Sequence, residues 1–142
     1  MRVIGLDLGT KTLGIAITDS LKIIATGLEN FEYPNRDLNI CVNKIKQIFE
    51  KYSNDIDTIV LGKPKRSNGK PSEMTLLSDE FKKILEQNFK NVKIVQWNEA
   101  YSTINTTEML KYQAGLKASK IKKIKDKMSA VYILQDYLDN GF

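Results

Sequence analysis

The feature that most limits the fold is a change of period near residue 35. Before it the chain is strand-like, and after it apolar residues recur at helical spacing. Residues 2–8 and 12–19 form two apolar β-like runs separated by Gly9-Thr10-Lys11, a glycine-bearing loop of hairpin length. Residues 22–33 read as a third strand, ended by Pro34. From Asp37 onward, Leu38, Cys41, Val42, Ile45, Ile48, Phe49 and Tyr52 return at steps of three and four, which predicts an amphipathic helix. Asn35 or Asp37 can cap it.

The remainder alternates. Residues 57–62 are a short apolar run of the buried, parallel type, followed by a basic loop from Lys63 to Pro71. Ser72 is a candidate cap for a helix bearing Leu77, Phe81, Ile84, Leu85 and Phe89, and Val92 to Trp97 reads as another strand. Asn98 to Thr103 reads as a polar turn, and Asn105-Thr106-Thr107-Glu108 resembles a capping box before a short helix. Residues 113–124 read as a basic, mobile loop, and 126–139 as a last helix with Val131, Leu134 and Leu138 on one face. The predicted order is β-β-β-α-β-α-β-α-α. It implies one α/β domain over residues 1–142: a mixed five-stranded sheet, three antiparallel strands and then βαβ units, flanked by helices.

The side-chain inventory narrows the chemistry. The 142 residues contain no histidine and a single cysteine, Cys41, so an internal disulfide, a structural zinc site and any histidine-based triad are excluded. Catalysis must rest on carboxylates, Lys, Ser/Thr, Tyr, or a hard metal held by oxygen. No stretch approaches the length of a membrane span, and Asp7 interrupts the apolar start before a signal-peptide core can form. The expected setting is the cytoplasm.

Charge is unevenly placed. Residues 1–60 carry 7 Lys/Arg against 8 Asp/Glu, and residues 61–142 carry 15 against 9. Windows 63–70 and 117–127 hold 10 of the 22 basic residues and only one of the 17 acids, so the net charge of +5 is concentrated in two segments. Clustered positive charge is the footprint of a polyanion partner; solvated lysine-rich loops are the plainer alternative.

Asp7 is the first candidate site residue. Within Ile4-Gly5-Leu6-Asp7-Leu8 it sits in a strand expected to be central, where an unpaired carboxylate is costly. It either meets a cation or satisfies the backbone of the turn that follows. Glu99 lies just past a strand, and Asp126 at the start of the last helix among Lys122, Lys123, Lys125 and Lys127. Each of these two has an ordinary helix-terminus explanation. Together, three acids suit a hard cation such as Mg²⁺ or Mn²⁺, and the carboxyl ends of parallel strands are where such sites assemble. Gly9 and Gly14 have the spacing of a P-loop, but Ile15-Ala16 follow, so the segment is not a Walker motif.

Four segments carry a wider resemblance: Asp7-Leu8-Gly9-Thr10-Lys11-Thr12-Leu13-Gly14-Ile15-Ala16; Gly62-Lys63-Pro64 with Asn68-Gly69; Glu99 with Ser102-Thr103; and Lys125-Asp126 leading into Ser129-Ala130-Val131 and Ile133-Leu134. In these the whole chain resembles the YqgF (RuvX-like) family, described as Holliday junction resolvases and as nucleases that process precursor 16S ribosomal RNA. The resemblance implies an RNase H-like fold and a site for Mg²⁺ or Mn²⁺, two ions, held by Asp7, Glu99 and Asp126. It also implies substrate contacts from Thr10, Lys11, Lys63, Lys65, Arg66, Asn68, Ser102, Thr103, Lys123 and Lys125. The implied partner is structured RNA or branched DNA, with the ribosome or its precursor RNA on the first reading. One departure is visible: similar proteins carry Asp-Glu-Arg where this chain reads Asn98-Glu99-Ala100.

Three functions follow as expectations. The first is a metal-dependent nuclease acting at the 5′ end of precursor 16S rRNA, with four-way DNA as the alternative substrate. The second is a non-catalytic nucleic-acid-binding module of the same fold, suggested by residues 98–100. The third, an actin-like phosphotransferase, is suggested by Asp7-Leu8-Gly9-Thr10, but 142 residues cannot supply the second domain it needs. Symmetric cutting of a junction favours a dimer, whereas a monomer suffices for rRNA trimming; a monomer or weak homodimer is expected.

Overall fold

A computed structural model describes residues 1–63, 73–98 and 118–140, with the side chains of residues 63, 73, 98 and 118–127 outside the description. Its elements are β1 (Arg2–Leu8), β2 (Thr12–Thr18), β3 (Ala25–Glu32), α1 (Leu38–Lys51), β4 (Ile56–Lys63), α2 (Glu73–Asn88), β5 (Lys93–Asn98) and α3 (Ala118–Asn140). The five strands form one sheet in the order β3-β2-β1-β4-β5. β1 pairs antiparallel with β2 and β2 with β3, whereas β1, β4 and β5 run parallel. The mixed sheet is the one the sequence predicts.

Alternation along the strands sorts the core into two layers. Ile4, Leu6 and Leu8 of β1, with Leu13, Ile15 and Ile17 of β2, pack beneath α1 and α2 in a cluster that includes Cys41, Ile45, Phe81 and Leu85. Phe49 and Phe89 close that layer with ring centroids 4.8 Å apart. On the opposite face Val3, Ala16 and Val60 meet Ala130, Ile133, Leu134 and Tyr137 of α3. The central strand β1 is thus covered on both sides, which explains its nearly continuous apolar run.

Gly5 permits the α3 layer to form at this depth. A Cβ there would lie 2.7 Å from Leu134 Cβ and 3.1 Å from the Ala130 carbonyl oxygen, so only a glycine admits the helix so close. The Gln135 carboxamide ties α3 to the far side of the sheet. Its Oε1 accepts from the Ala25 amide at 2.9 Å, and its Nε2 donates to the Ile23 carbonyl at 3.1 Å.

Two boundaries differ from the sequence reading by more than one residue. β3 begins at Ala25 rather than at residue 22, because Asp19 Oδ1 accepts the amides of Ile23 and Ile24 and Lys22 has a φ of 59°, turning the chain before the strand. α1 starts where expected, with Asp37 accepting the Asn39 amide as its cap, preceded by a tight turn with Asn35 and Arg36 at positive φ. The last helix begins at Ala118, so residues 118–124, expected as loop, are helical. Three helix-compatible lysines and Ala118 lie there without a glycine or proline, and the loop-like lysine content masked that continuity. The predicted cap Ser72 and the capping box at 105–108 lie outside the described residues.

Candidate functional site

The site is built on the carboxyl edge of the parallel strands. Lys63 pairs with Asn98 at the ends of β4 and β5, and Leu61 pairs with Leu6 one residue before Asp7. The three strands therefore terminate at one edge, and Glu99 is the residue immediately after β5. Asp7 is half-buried and opposite Gly14. Alternation puts it on the same face as Val3 and Gly5, the face covered by α3.

The direction of α3 follows from its contacts. Gln135 meets Ala25, which pairs with Thr18; the Thr18 hydroxyl accepts the Val3 amide at 2.9 Å, near the start of β1. Ala130 and Leu134 meet Gly5 in the middle of β1. Earlier residues of α3 therefore lie toward the end of β1 that carries Asp7. From Ala130 back to position 126 is one turn, about 6 Å along the helix axis. From Gly5 to Asp7 is two residues, about 6.6 Å along the strand. The backbone at position 126 thus shares the level of Asp7. Position 126 is also two turns inside α3 rather than at its start, so a helix-terminus role for Asp126 does not apply.

Next to Asp7 the β1–β2 hairpin turns through Thr10 and Lys11. The Gly9 amide donates to the Thr12 carbonyl at 2.8 Å, and a Cβ at Gly9 would press on Thr12 at 3.3 Å. Tyr33 closes the turn from behind. Its amide donates to the Lys11 carbonyl at 2.9 Å, and its hydroxyl donates to the Gly9 carbonyl. Burial pushes the Tyr33 phenol up to about 12, so it remains a protonated donor at neutral pH. Thr10 is half-exposed and Lys11 exposed at the tip.

Two residues of this neighbourhood escape sequence reading. Tyr33 is one, because the strand read over residues 22–33 gives no hint that its side chain returns to Gly9. Asn30 is the other: it pairs with Gly14, which pairs with Asp7, so the three form one cross-strand row. Its Oδ1 is buried without a hydrogen-bond partner. Only the hairpin register could have placed it there. Of the remaining expected residues, Lys63 ends β4, and Lys123 and Lys125 lie on the amino-terminal half of α3, with side chains outside the description. Lys65, Arg66, Asn68, Glu99, Ser102 and Thr103 lie outside the described residues altogether. Among the described residues no three acidic or thiol side chains gather into a metal-binding group. No helix there is long and apolar enough to cross a membrane.

The likeness to known proteins runs the length of the chain. The family model described as "RuvX: Holliday junction resolvase" matches residues 1–140. A protein of Ureaplasma parvum serovar 3 named "Putative pre-16S rRNA nuclease" is 49% identical over 145 residues, covering 99% of this chain and 98% of that one. A Bacillus subtilis protein of the same name is 40% identical over 140 residues, covering 99% of each. Among solved structures, Thermus thermophilus RuvC superposes with a TM-score of 0.58 at 10% identity, covering 99% of this chain and 97% of that one. RuvC in complex with a Holliday junction substrate gives 0.57 at 10% identity, covering 97% and 93%. The RuvC likeness makes the fold RNase H-like, and the sequence likeness makes the chain a member of the RuvX family.

Proposed function

We propose that this chain is a metal-dependent nuclease that hydrolyses phosphodiester bonds of precursor 16S rRNA near its 5′ end, using Asp7, Glu99 and Asp126. The observation that carries the reading is the common level of positions 7 and 126, at the edge where β5 hands the chain to Glu99. The names of the relatives at 40–49% identity supply the substrate.

The donor chemistry fits a hard cation. Asp7 is a carboxylate on a strand fixed on both sides, and the buried Asn30 oxygen in its cross-strand row has no donor, a place that water held by a bound cation would satisfy. Asp7, Glu99 and Asp126 would hold Mg²⁺ or Mn²⁺, two ions, which when bound activate water and stabilise the leaving oxygen. The rest falls to the chain. With no histidine anywhere, no imidazole is available as a proton carrier. Thr10 and Lys11 present hydroxyl and ammonium donors to a phosphate beside Asp7. Lys63, Lys65, Arg66, Lys123 and Lys125 neutralise neighbouring phosphates, and Asn68, Ser102 and Thr103 add neutral hydrogen bonds. The enzyme acts in the cytoplasm, on pre-rRNA free or within the ribosomal precursor.

A second reading, cleavage of four-way DNA, is favoured by the family's description and by the RuvC fold. The deciding experiment incubates purified protein with an rRNA 5′-leader and with a DNA junction, each with Mg²⁺ and with Mn²⁺. Metal-dependent cuts in the RNA alone support the proposal. Cuts confined to the junction replace it with the second reading. Binding without cleavage on either substrate would mark a non-catalytic member, as the Asn98 and Ala100 departures allow.

A further inference from the structure

The hairpin tip beside Asp7 is unusual in how few of its own polar groups are used. Among the described residues Thr10 has no hydrogen-bond partner, and the one hydrogen bond at Lys11 is accepted by its carbonyl from the Tyr33 amide. A two-residue turn with unused donors is normally free to rock about its strands. This one is held. The Gly9 amide is bonded to the Thr12 carbonyl, the Gly9 carbonyl receives the Tyr33 hydroxyl, and the Lys11 carbonyl receives the Tyr33 amide. Tyr33 is itself only 3% exposed, packed in the core layer with Leu38, Cys41 and Leu8. The bonds thus run from one fixed core residue, through its hydroxyl and its amide, to carbonyls on both sides of Thr10.

We infer that Tyr33 is a positioning residue for substrate: its hydroxyl fixes the Gly9-Thr10-Lys11 turn so that Thr10 and Lys11 engage a backbone phosphate next to Asp7. The inference rests on the nuclease reading for the identity of the phosphate, but the fixing of the turn does not. Tyr33 touches no reacting group and acts through main-chain carbonyls. Removing its hydroxyl therefore weakens capture of substrate and leaves the chemical step alone. Ordering a turn in advance lowers the cost that binding must meet.

The test uses Tyr33→Phe, which keeps the buried ring and deletes only the donor. Amide hydrogen exchange reads the turn directly: the Gly9 and residue-33 amides should exchange at least about tenfold faster than in the wild type, as local opening becomes easier. On the rRNA 5′-leader with Mg²⁺, KM should rise about 5–10-fold with kcat within twofold, the pattern of lost ground-state binding. The effect should shrink in a Lys11→Ala background, since both changes act through one turn. A purely structural tyrosine would lower the urea midpoint and leave KM unchanged, and that result overturns the inference. So does unchanged exchange at Gly9, whatever the kinetics. If the wild type cleaves neither RNA nor DNA, the nuclease reading falls, and the exchange data with RNA-binding affinity in place of KM still decide the role of Tyr33.

Discussion

Replacing Gly5 by alanine tests the packing that sets the level of α3 against β1. The new Cβ would sit 2.7 Å from Leu134 Cβ, 3.1 Å from the Ala130 carbonyl oxygen and 3.3 Å from Leu134 Cδ2. Two of these contacts are with parts of α3 that cannot rotate away, so the helix must retreat by about 1 Å to reach ordinary contact near 3.7 Å. Overpacking of this kind costs about 1–3 kcal/mol. The loss of unfolded-chain entropy on going from Gly to Ala returns about 0.4–1 kcal/mol, since Gly5 has a backbone that alanine adopts. The net expectation is a loss of about 1–2 kcal/mol. Urea unfolding followed by tryptophan fluorescence suits the measurement. The single tryptophan, Trp97, donates to Asp136 at 2.7 Å and packs edge-on against Tyr137 at 5.5 Å, both on α3. The urea midpoint should fall with an unchanged slope. Cleavage should fall more than stability explains, because the same retreat draws position 126 away from Asp7. A Gly5→Ala protein with the wild-type midpoint would refute the close approach and the register built on it.

Other outcomes follow from single contacts. Burial raises the Asp57 carboxyl, but hydrogen bonds from Lys22 at 2.7 Å and Thr58 at 3.0 Å outweigh it and hold the group below the usual carboxylate range. A group lowered in the fold stabilises above its unfolded pKa near 4, and that stability is lost as pH falls through the lowered value. Asp57→Asn should therefore destabilise at pH 7 and lose the difference from wild type as the pH falls below the ordinary carboxylate range, which urea midpoints against pH will show. Cys41 is fully buried and its thiol is pushed up to about 12, so a disulfide reagent at pH 8 should leave it unmodified until urea unfolds the chain. If Lys63, Lys65, Arg66, Lys123 and Lys125 all meet phosphates, RNA affinity should drop about 100-fold between 50 and 200 mM salt, and a flat profile would remove them from the interface.

Much of the fold was legible because each element carries a local signature. The helical stripe from Leu38 to Phe49 and the hairpin at Gly9 predict the crossover and the antiparallel pair, and the apolar run at 57–62 predicts a buried parallel strand. Boundaries set by side chains folding back on the main chain were not legible. Asp19 ends one strand and delays the next by capturing two amides, which the apolar Leu21, Ile23 and Ile24 disguise as strand. The start of α3 was hidden for a different reason: lysines suit a helix and a loop equally, so composition could not choose. Within the site, Asp7 stood out as a charge in an apolar run. Asn30 and Tyr33 did not, since their relation to it is a matter of register across three strands rather than of any motif.

The central claim is that Asp7 belongs to a metal-holding carboxylate set, and one comparison tests it most directly. Wild-type and Asp7→Asn proteins, matched for urea midpoint, are assayed for Mg²⁺-dependent cleavage of the rRNA 5′-leader. Asp7→Asn should fold and retain most RNA affinity while cleavage falls by more than about 100-fold, beyond the loss expected for an outer-shell partner. Cleavage by Asp7→Asn at the wild-type rate, with the same dependence on Mg²⁺, would contradict it.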